Sequence, residues 1–159
     1  MEKVRNKLVI FDLDGVLIES RELHYQSLNN ALKSIDPKYI INRDEHLSVY
    51  DGLNTTKKLQ MLSESKGLPV EYHDTIWHRK QLATFDLIKE FPIDNKLVDI
   101  FSRLKGMGYS IAVASNSIRE TVKLSLLKIG VLEYVDYFAS NQDVMLTKPY
   151  PEMYWKCMI

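Results

Sequence analysis

Residues Lys7–Ser20 read KLVIFDLDGVLIES, and this stretch decides the fold. Lys7 to Phe11 is a short, continuously apolar run of β-formers that stops at a carboxylate, Asp12. A run without polar alternation suits a parallel sheet covered on both faces. Two residues on stands a second carboxylate, Asp14, and then Gly15, where the backbone can turn. In α/β sheets, ligands bind at the carboxyl ends of the strands, where this pair is expected to lie. Two crowded carboxylates repel and need a cation or a proton to coexist. Magnesium, a hard ion that takes oxygen ligands, is the obvious cation. An acidic turn of no functional consequence is the competing reading of Asp12 and Asp14 taken alone.

Working outward, two more strands of this kind are expected at Tyr109–Ala114 (YSIAVA) and, more weakly, at Tyr137–Ala139. Between the first two the pattern is helical. Leu28, Ala31, Leu32 and Ile35 share a face that ends at Asp36-Pro37. Thr55, Leu59 and Leu62 share another, closed by Gly67. Ile76, Lys80, Ala83 and Leu87 form a third stripe, interrupted by Lys80, and Leu97, Val98, Phe101 and Leu104 a fourth, with Asp94 as its N-cap. Ser117-Ile118-Arg119-Glu120 has the capping-box pattern and predicts a helix starting at Ser117. A last helix should begin at Pro151, with Glu152 in its first turn. Trp77 and Trp155 read as packing residues. The fold class is α/β: a Rossmann-like parallel core of residues 1–20 and 92–159, with an all-helical insertion over 21–91 that is too long for one crossover helix.

Composition narrows the function. The 159 residues carry 21 basic and 21 acidic side chains, and 45% are apolar. Zero net charge argues against a nucleic-acid partner, and so much apolar content argues against disorder. One cysteine, Cys157, permits no internal disulfide. No apolar run approaches the ~20 residues needed to span a bilayer, so no membrane partner is expected. MEKVRNK and the four apolar residues behind it do not read as a secretory signal, and a cytoplasmic location is expected.

Two further segments could carry chemistry. Ser115-Asn116-Ser117 follows a buried strand and leads into a helix, where backbone N–H groups favour an anion. Ser117 is expected to cap that helix, leaving Ser115 and Asn116 as donors to phosphate. Lys148-Pro149 follows the third strand, and a lysine there could neutralise phosphate or a crowded carboxylate. Alone it would read as a solvated surface lysine.

Together the segments resemble the haloacid dehalogenase (HAD) superfamily, in its phosphoglucomutase-like and phosphoglycolate-phosphatase-like branch with a helical cap. DLDGVLIES (Asp12–Ser20), VASNS (Val113–Ser117) and TKPYPEMY (Thr147–Tyr154) are similar to its first three motifs, in order and spacing. The resemblance implies phosphoryl transfer on a small phosphorylated metabolite. Asp12 would be the nucleophile, forming an aspartyl-phosphate. Asp14 would protonate the leaving oxygen and then activate water. Ser115 and Asn116 would hold the phosphoryl oxygens, and Lys148 would stabilise charge on phosphate and Asp12. Mg2+ would be held at Asp12 and Asp14, the latter position supplying a main-chain oxygen in that family. The insertion would be a cap that closes over the core, with His24, Gly52, Asn54 and Thr55 as candidate substrate contacts; helix capping alone is an equal reading for the last three, and a structural role is the favoured reading for His24.

That branch continues past its third motif to a further strand ending in acidic residues that complete the metal site. Here Pro149–Ile159 alone follows Lys148, so the last core strands are expected to be missing and the metal site incomplete. Asp143 is not expected to replace the lost ligand. The open sheet edge beside Lys7–Phe11 is then a surface for self-association. The alternatives to a phosphatase are a phosphosugar mutase of the same branch and a non-catalytic binding or oligomerisation module.

Overall fold

In the computed structural model, residues 7–51 and 53–159 are described. The chain divides into two compact units, Met1–Glu19 with Ile88–Ile159, and Ser20–Leu87.

The first unit is built on a three-stranded parallel sheet in the order β1-β2-β3, with β1 at Lys7–Phe11, β2 at Tyr109–Ala114 and β3 at Tyr137–Ala139. Val9 lies opposite Ile111 and Ala112 opposite Tyr137, so all three strands end at the same edge. Helix α5 (Asn95–Gly106) precedes β2, and α6 (Arg119–Ile129) connects β2 to β3. The last helix, α7, spans Glu152–Met158. Side chains alternate along a strand, and the two faces of the sheet are covered by different helices. Leu8, Ile10, Ala112 and Ala114 pack with Met153 and Cys157 of α7. Phe11 faces the other way and stacks on the fully buried Phe101 of α5, ring centroids 4.8 Å apart. The small residues Ala112, Ala114 and Ala139 on the first face are what allow a helix to lie close to the sheet.

Asp94 caps α5 as expected, its carboxylate accepting from the Lys96 and Leu97 N–H groups. The start of α6 differs. Its N-cap is Ile118, with no side-chain cap, and the capping box at Ser117 does not form. The Ser117 hydroxyl turns instead to Asp14, 3.3 Å away, and its carbonyl accepts from the Asn141 N–H. Trp155, expected to pack, is 60% exposed on α7.

The second unit is helical: α1 (Arg21–Lys33), α2 (Arg43–Glu45), α3 (Thr55–Lys66) and α4 (His73–Lys89), the last running on into the residues of the first unit. Leu28, Ala31 and Leu32 of α1 meet Leu59 and Leu62 of α3 and Ile76 of α4 in one core with Tyr39, Ile41, Tyr50 and Leu68. Gly67 ends α3 at φ 68°, a left-handed cap. Helix α2, which the hydrophobic pattern did not foretell, starts at a complete capping box between Asn42 and Glu45 and continues as a π turn over His46–Tyr50. Asn29 ties α1 to the following segment with its whole amide: Nδ2 donates to the Ile41 carbonyl at 2.8 Å, and Oδ1 accepts from the Ile41 N–H at 2.9 Å.

Candidate active site

Asp12, Asp14, Ser115 and Asn116 sit just past the ends of β1 and β2, and Lys148 lies in the stretch between β3 and α7. After β1, the Leu13 carbonyl accepts from the N–H groups of Val16, Leu17 and Ile18, which winds Asp14–Ile18 into a tight loop. Gly15 takes φ 74° there, a left-handed value that other residues rarely adopt. Leu13 is fully buried and anchors the loop, so Asp12 and Asp14 flank a fixed point. One oxygen of Asp12, Oδ1, accepts from the Leu13 N–H at 2.7 Å.

Lys148 reaches the same oxygen. Its Nζ lies 2.9 Å from Asp12 Oδ1 and donates to the Ala114 carbonyl at 3.0 Å. The lysine side chain is 15% exposed and that of Asp12 45%, so water reaches this pair mainly from the carboxylate side. An ammonium has three protons, and these two contacts leave one for a ligand. Asp12 Oδ2 has no partner among the described residues. Lys148 is half-buried and Asp12 exposed, which keeps the pair open to an incoming anion.

Ser115 is fully buried at the end of β2. Its N–H donates to the Ala139 carbonyl of β3, and its Oγ accepts from the Ser117 N–H at 3.1 Å, so the hydroxyl proton is still available to a phosphoryl oxygen. Asn116 is exposed, but its amide is engaged: Nδ2 donates to the Lys148 carbonyl at 3.1 Å and Oδ1 accepts from the Lys148 N–H at 2.9 Å. Ser117, assigned from sequence to helix capping, faces Asp14 instead. No local signal could have shown this, because the two residues lie more than one hundred positions apart.

Asp143 does not turn to the site. It accepts from the Ser140 N–H and hydroxyl at 2.7 Å each and pairs with Arg119 at 3.3 Å, and these contacts hold its carboxyl below the usual range against the effect of its burial. Among the described residues, no group of three or more His, Cys, Asp or Glu could hold a metal ion. The donors at the site are the oxygens of Asp12 and Asp14. Magnesium commonly uses one or two carboxylates and completes its shell with water and substrate phosphate, so this hard-oxygen set suits it in kind.

The remaining candidates lie in the second unit. His24 is half-buried on α1. Asn54 is the N-cap of α3, its Oδ1 accepting from the Lys57 N–H at 2.8 Å, and Thr55 is the first residue of that helix. Gly52 lies outside the described residues. Ser63 and His73 form a pair that sequence reasoning did not flag, with Oγ and Nε2 2.7 Å apart. The hydroxyl proton of Ser63 goes to the Leu68 carbonyl, so His73 is the donor and the pair fastens α3 to α4 instead of generating a nucleophile.

The sequence profile of the haloacid dehalogenase-like hydrolases matches residues 9–159. The chain belongs to that family. Among curated proteins it is 26% identical to the pyrophosphatase PpaX of Bacillus velezensis, a match covering 96% of this chain and 67% of that one. It is 25% identical to an uncharacterized protein of Haemophilus influenzae, covering 94% and 72%. Among solved structures, a CbbY variant of Rhodobacter sphaeroides in complex with xylulose-(1,5)bisphosphate superposes with a TM-score of 0.78 at 21% identity, over 97% of this chain and 72% of that one. The β-phosphoglucomutase of Clostridium difficile gives 0.71 at 20% identity, over 94% and 68%. The haloacid dehalogenase fold is therefore shared with structures of which this chain spans about 70%. No helix among the described residues is long and apolar enough to cross a membrane.

Proposed function

We propose that this haloacid dehalogenase-like chain is a phosphatase that acts on a small phosphorylated metabolite through an aspartyl-phosphate on Asp12. The observation that carries this reading is the Lys148 ammonium 2.9 Å from Asp12 Oδ1, with Ser117 and Asp14 joined beside it at the strand ends. Asp12 Oδ1 is held by Lys148 and the Leu13 N–H, which leaves Oδ2 to attack phosphorus. The third proton of Lys148 and the Ser115 hydroxyl would take the phosphoryl oxygens as charge develops on them. Asp14, oriented by the Ser117 hydroxyl, would give its proton to the departing alkoxide and later take one from the attacking water. The covalent step divides one difficult displacement into two easier ones.

Mg2+ held by Asp12 and Asp14 would neutralise charge shared between Asp12 and the phosphoryl group. Catalysis of such a transfer rests on positioning and electrostatics more than on covalent chemistry, which suits a site of two carboxylates, one lysine and strand-end donors. The name of PpaX places pyrophosphate in the substrate panel beside sugar phosphates. His24, Asn54, Thr55 and Gly52 are the proposed sources of substrate selectivity in the helical unit.

The test is Mg2+-dependent hydrolysis of an aryl phosphate and of pyrophosphate by the wild type and by Asp12→Asn. The amide is isosteric but is no nucleophile, so turnover should vanish while the melting temperature stays within a few degrees of the wild type. Full activity in Asp12→Asn would remove Asp12 from the chemistry and with it this reading. Formation of an isomeric sugar phosphate that depends on a bisphosphate activator would assign the chain to mutases instead.

A further inference from the structure

We propose that Asn116 is the positioning residue of this site: it holds Lys148 against Asp12 by clamping the lysine's backbone, and does not itself bind phosphate. The proposal rests on the phosphatase reading for its consequence in turnover, but the clamp itself stands on geometry.

Lys148 lies in an irregular stretch between β3 and α7. Its side chain has four rotatable carbon links, and an ammonium on so flexible a stem is aimed only if the backbone at its root is fixed. Two sets of contacts restrain this stretch. Glu152, in the first turn of α7, accepts from the Met145 and Leu146 N–H groups. Asn116 takes both main-chain groups of Lys148 itself, donating to its carbonyl at 3.1 Å and accepting from its N–H at 2.9 Å. The side-chain amide thus pairs with the residue as a neighbouring strand would, in a stretch that has no strand.

Asn116 is in turn rooted in the sheet. Ser115 donates to Ala139 of β3, Ser117 donates to Ser115 Oγ, and the Ser117 carbonyl accepts from Asn141. The end of β2 therefore sets the height of Lys148, and the Ala114 carbonyl of the same strand receives its ammonium at 3.0 Å. The pairing needs a donor and an acceptor on one planar group. Aspartate has only acceptors, serine is too short, and leucine has the shape of asparagine and neither function. The helical unit uses the same device where no ligand is involved: Asn29 clamps both main-chain groups of Ile41 at 2.8 and 2.9 Å. This is what an asparagine in a structural clamp looks like in this protein.

The readout is the reactivity of the Lys148 amine toward acetic anhydride, followed by mass spectrometry on the intact folded chain. Loss of both clamping bonds in Asn116→Leu should raise Lys148 acetylation about tenfold, since each such bond, at the lower end of its net worth in an exposed setting, contributes roughly a factor of three and the two multiply. Asn116→Asp, which retains the acceptor alone, should fall between. Lys105, paired with Asp136 on the far side of the unit from the Asn116 bonds, should not change. Asn116 is exposed, so Leu should be tolerated; should it prevent folding, Asn116→Ser gives the same comparison. The second readout is a double-mutant cycle in kcat/KM for an aryl phosphate. Asn116→Leu should lower it in the wild type and have no further effect in Lys148→Ala. Unchanged acetylation in Asn116→Leu, or losses that multiply in the double variant, overturns the clamp and makes Asn116 an independent phosphate contact. Increased acetylation in a chain that turns over no phosphoester upholds the clamp and overturns the phosphatase reading. Unchanged acetylation with Asp12-dependent turnover does the reverse.

Discussion

Lys58→Met should make the protein more stable. Lys58 is 4% exposed on α3, beside the buried His46, and no hydrogen bond compensates its ammonium among the described residues. Burial pulls its pKa below the ordinary lysine value, with the charge of Asp51 opposing that change. Methionine keeps the unbranched stem and removes the charge, so the packing around Leu59 and Leu62 is retained. Asp51 is not orphaned by the change, because Arg21 remains 3.1 Å from its Oδ2. Replacing buried ion pairs with apolar groups of similar volume ranges from neutral to stabilising by about 1–4 kcal/mol. The lost attraction to Asp51 puts the expectation in the lower half, about 1–2 kcal/mol, or roughly 2–8 °C in melting temperature for a chain of this size.

The pH dependence supplies the decisive control. A lysine whose folded pKa is depressed binds fewer protons folded than unfolded between that pKa and the ordinary value near 10.5. The wild type therefore gains stability as pH rises through that window, while Lys58→Met does not. The gap between them should narrow as pH rises through that window toward 10. Measurement above pH 7.5 also keeps His46 out of the comparison, since burial, and then Lys58, hold its pKa below the ordinary histidine value. Thermal melts by circular dichroism at half-unit steps suffice. A variant less stable than the wild type, or a gap that does not move with pH, would show that the Lys58 charge is solvated or paired and refute the reasoning.

Lys148→Ala removes the ammonium 2.9 Å from Asp12 and should lower kcat/KM about 10²-fold or more in the aryl phosphate assay; unchanged kinetics would remove Lys148 from the chemistry. Asp136 ties Lys105 of α5 to the Ile111 N–H of β2, and these bonds, the lysine first, hold its carboxyl below the usual range. Its contribution is present above the unfolded value near 3.8 and is lost as pH falls through the folded one, so Asp136→Asn should cost about 1 kcal/mol at pH 6, discounted for exposure, and nothing in strong acid. A cost that persists in acid would point to packing instead. Gly130→Ala should destabilise by about 2 kcal/mol, because the left-handed φ of 89° is strained for alanine and the new Cβ would lie 3.0 Å from Ile93 Cγ2 and 3.2 Å from Val98 Cγ2. Gly67→Ala, at φ 68° with open space, isolates the backbone part; equal losses at the two sites would show that the Ile93 and Val98 contacts yield freely.

The features legible in the sequence alone are those that local rules govern. The apolar runs at Lys7, Tyr109 and Tyr137 became strands with those bounds, because an unbroken β-forming run has no other way to bury both faces. Asp94 and Gly67 mark helix ends because each satisfies backbone groups within a few residues of itself. Asp12, Asp14 and Lys148 were legible as a group only because three short motifs occur in one chain. The tertiary structure decided where competing partners win. Ser117 has a capping pattern, yet the loop after β1 brings Asp14 within reach of its hydroxyl, and the cap is abandoned. Asn116 has the composition of an anion site, yet its amide finds both main-chain groups of a residue thirty-two positions away. Lys58 and Lys80 interrupt apolar faces and are buried all the same, since a helix packed on its neighbours carries under whatever lies on its inner stripe. Local sequence states which groups need a partner, whereas only the packed sheet and helices set which partner lies within 3 Å.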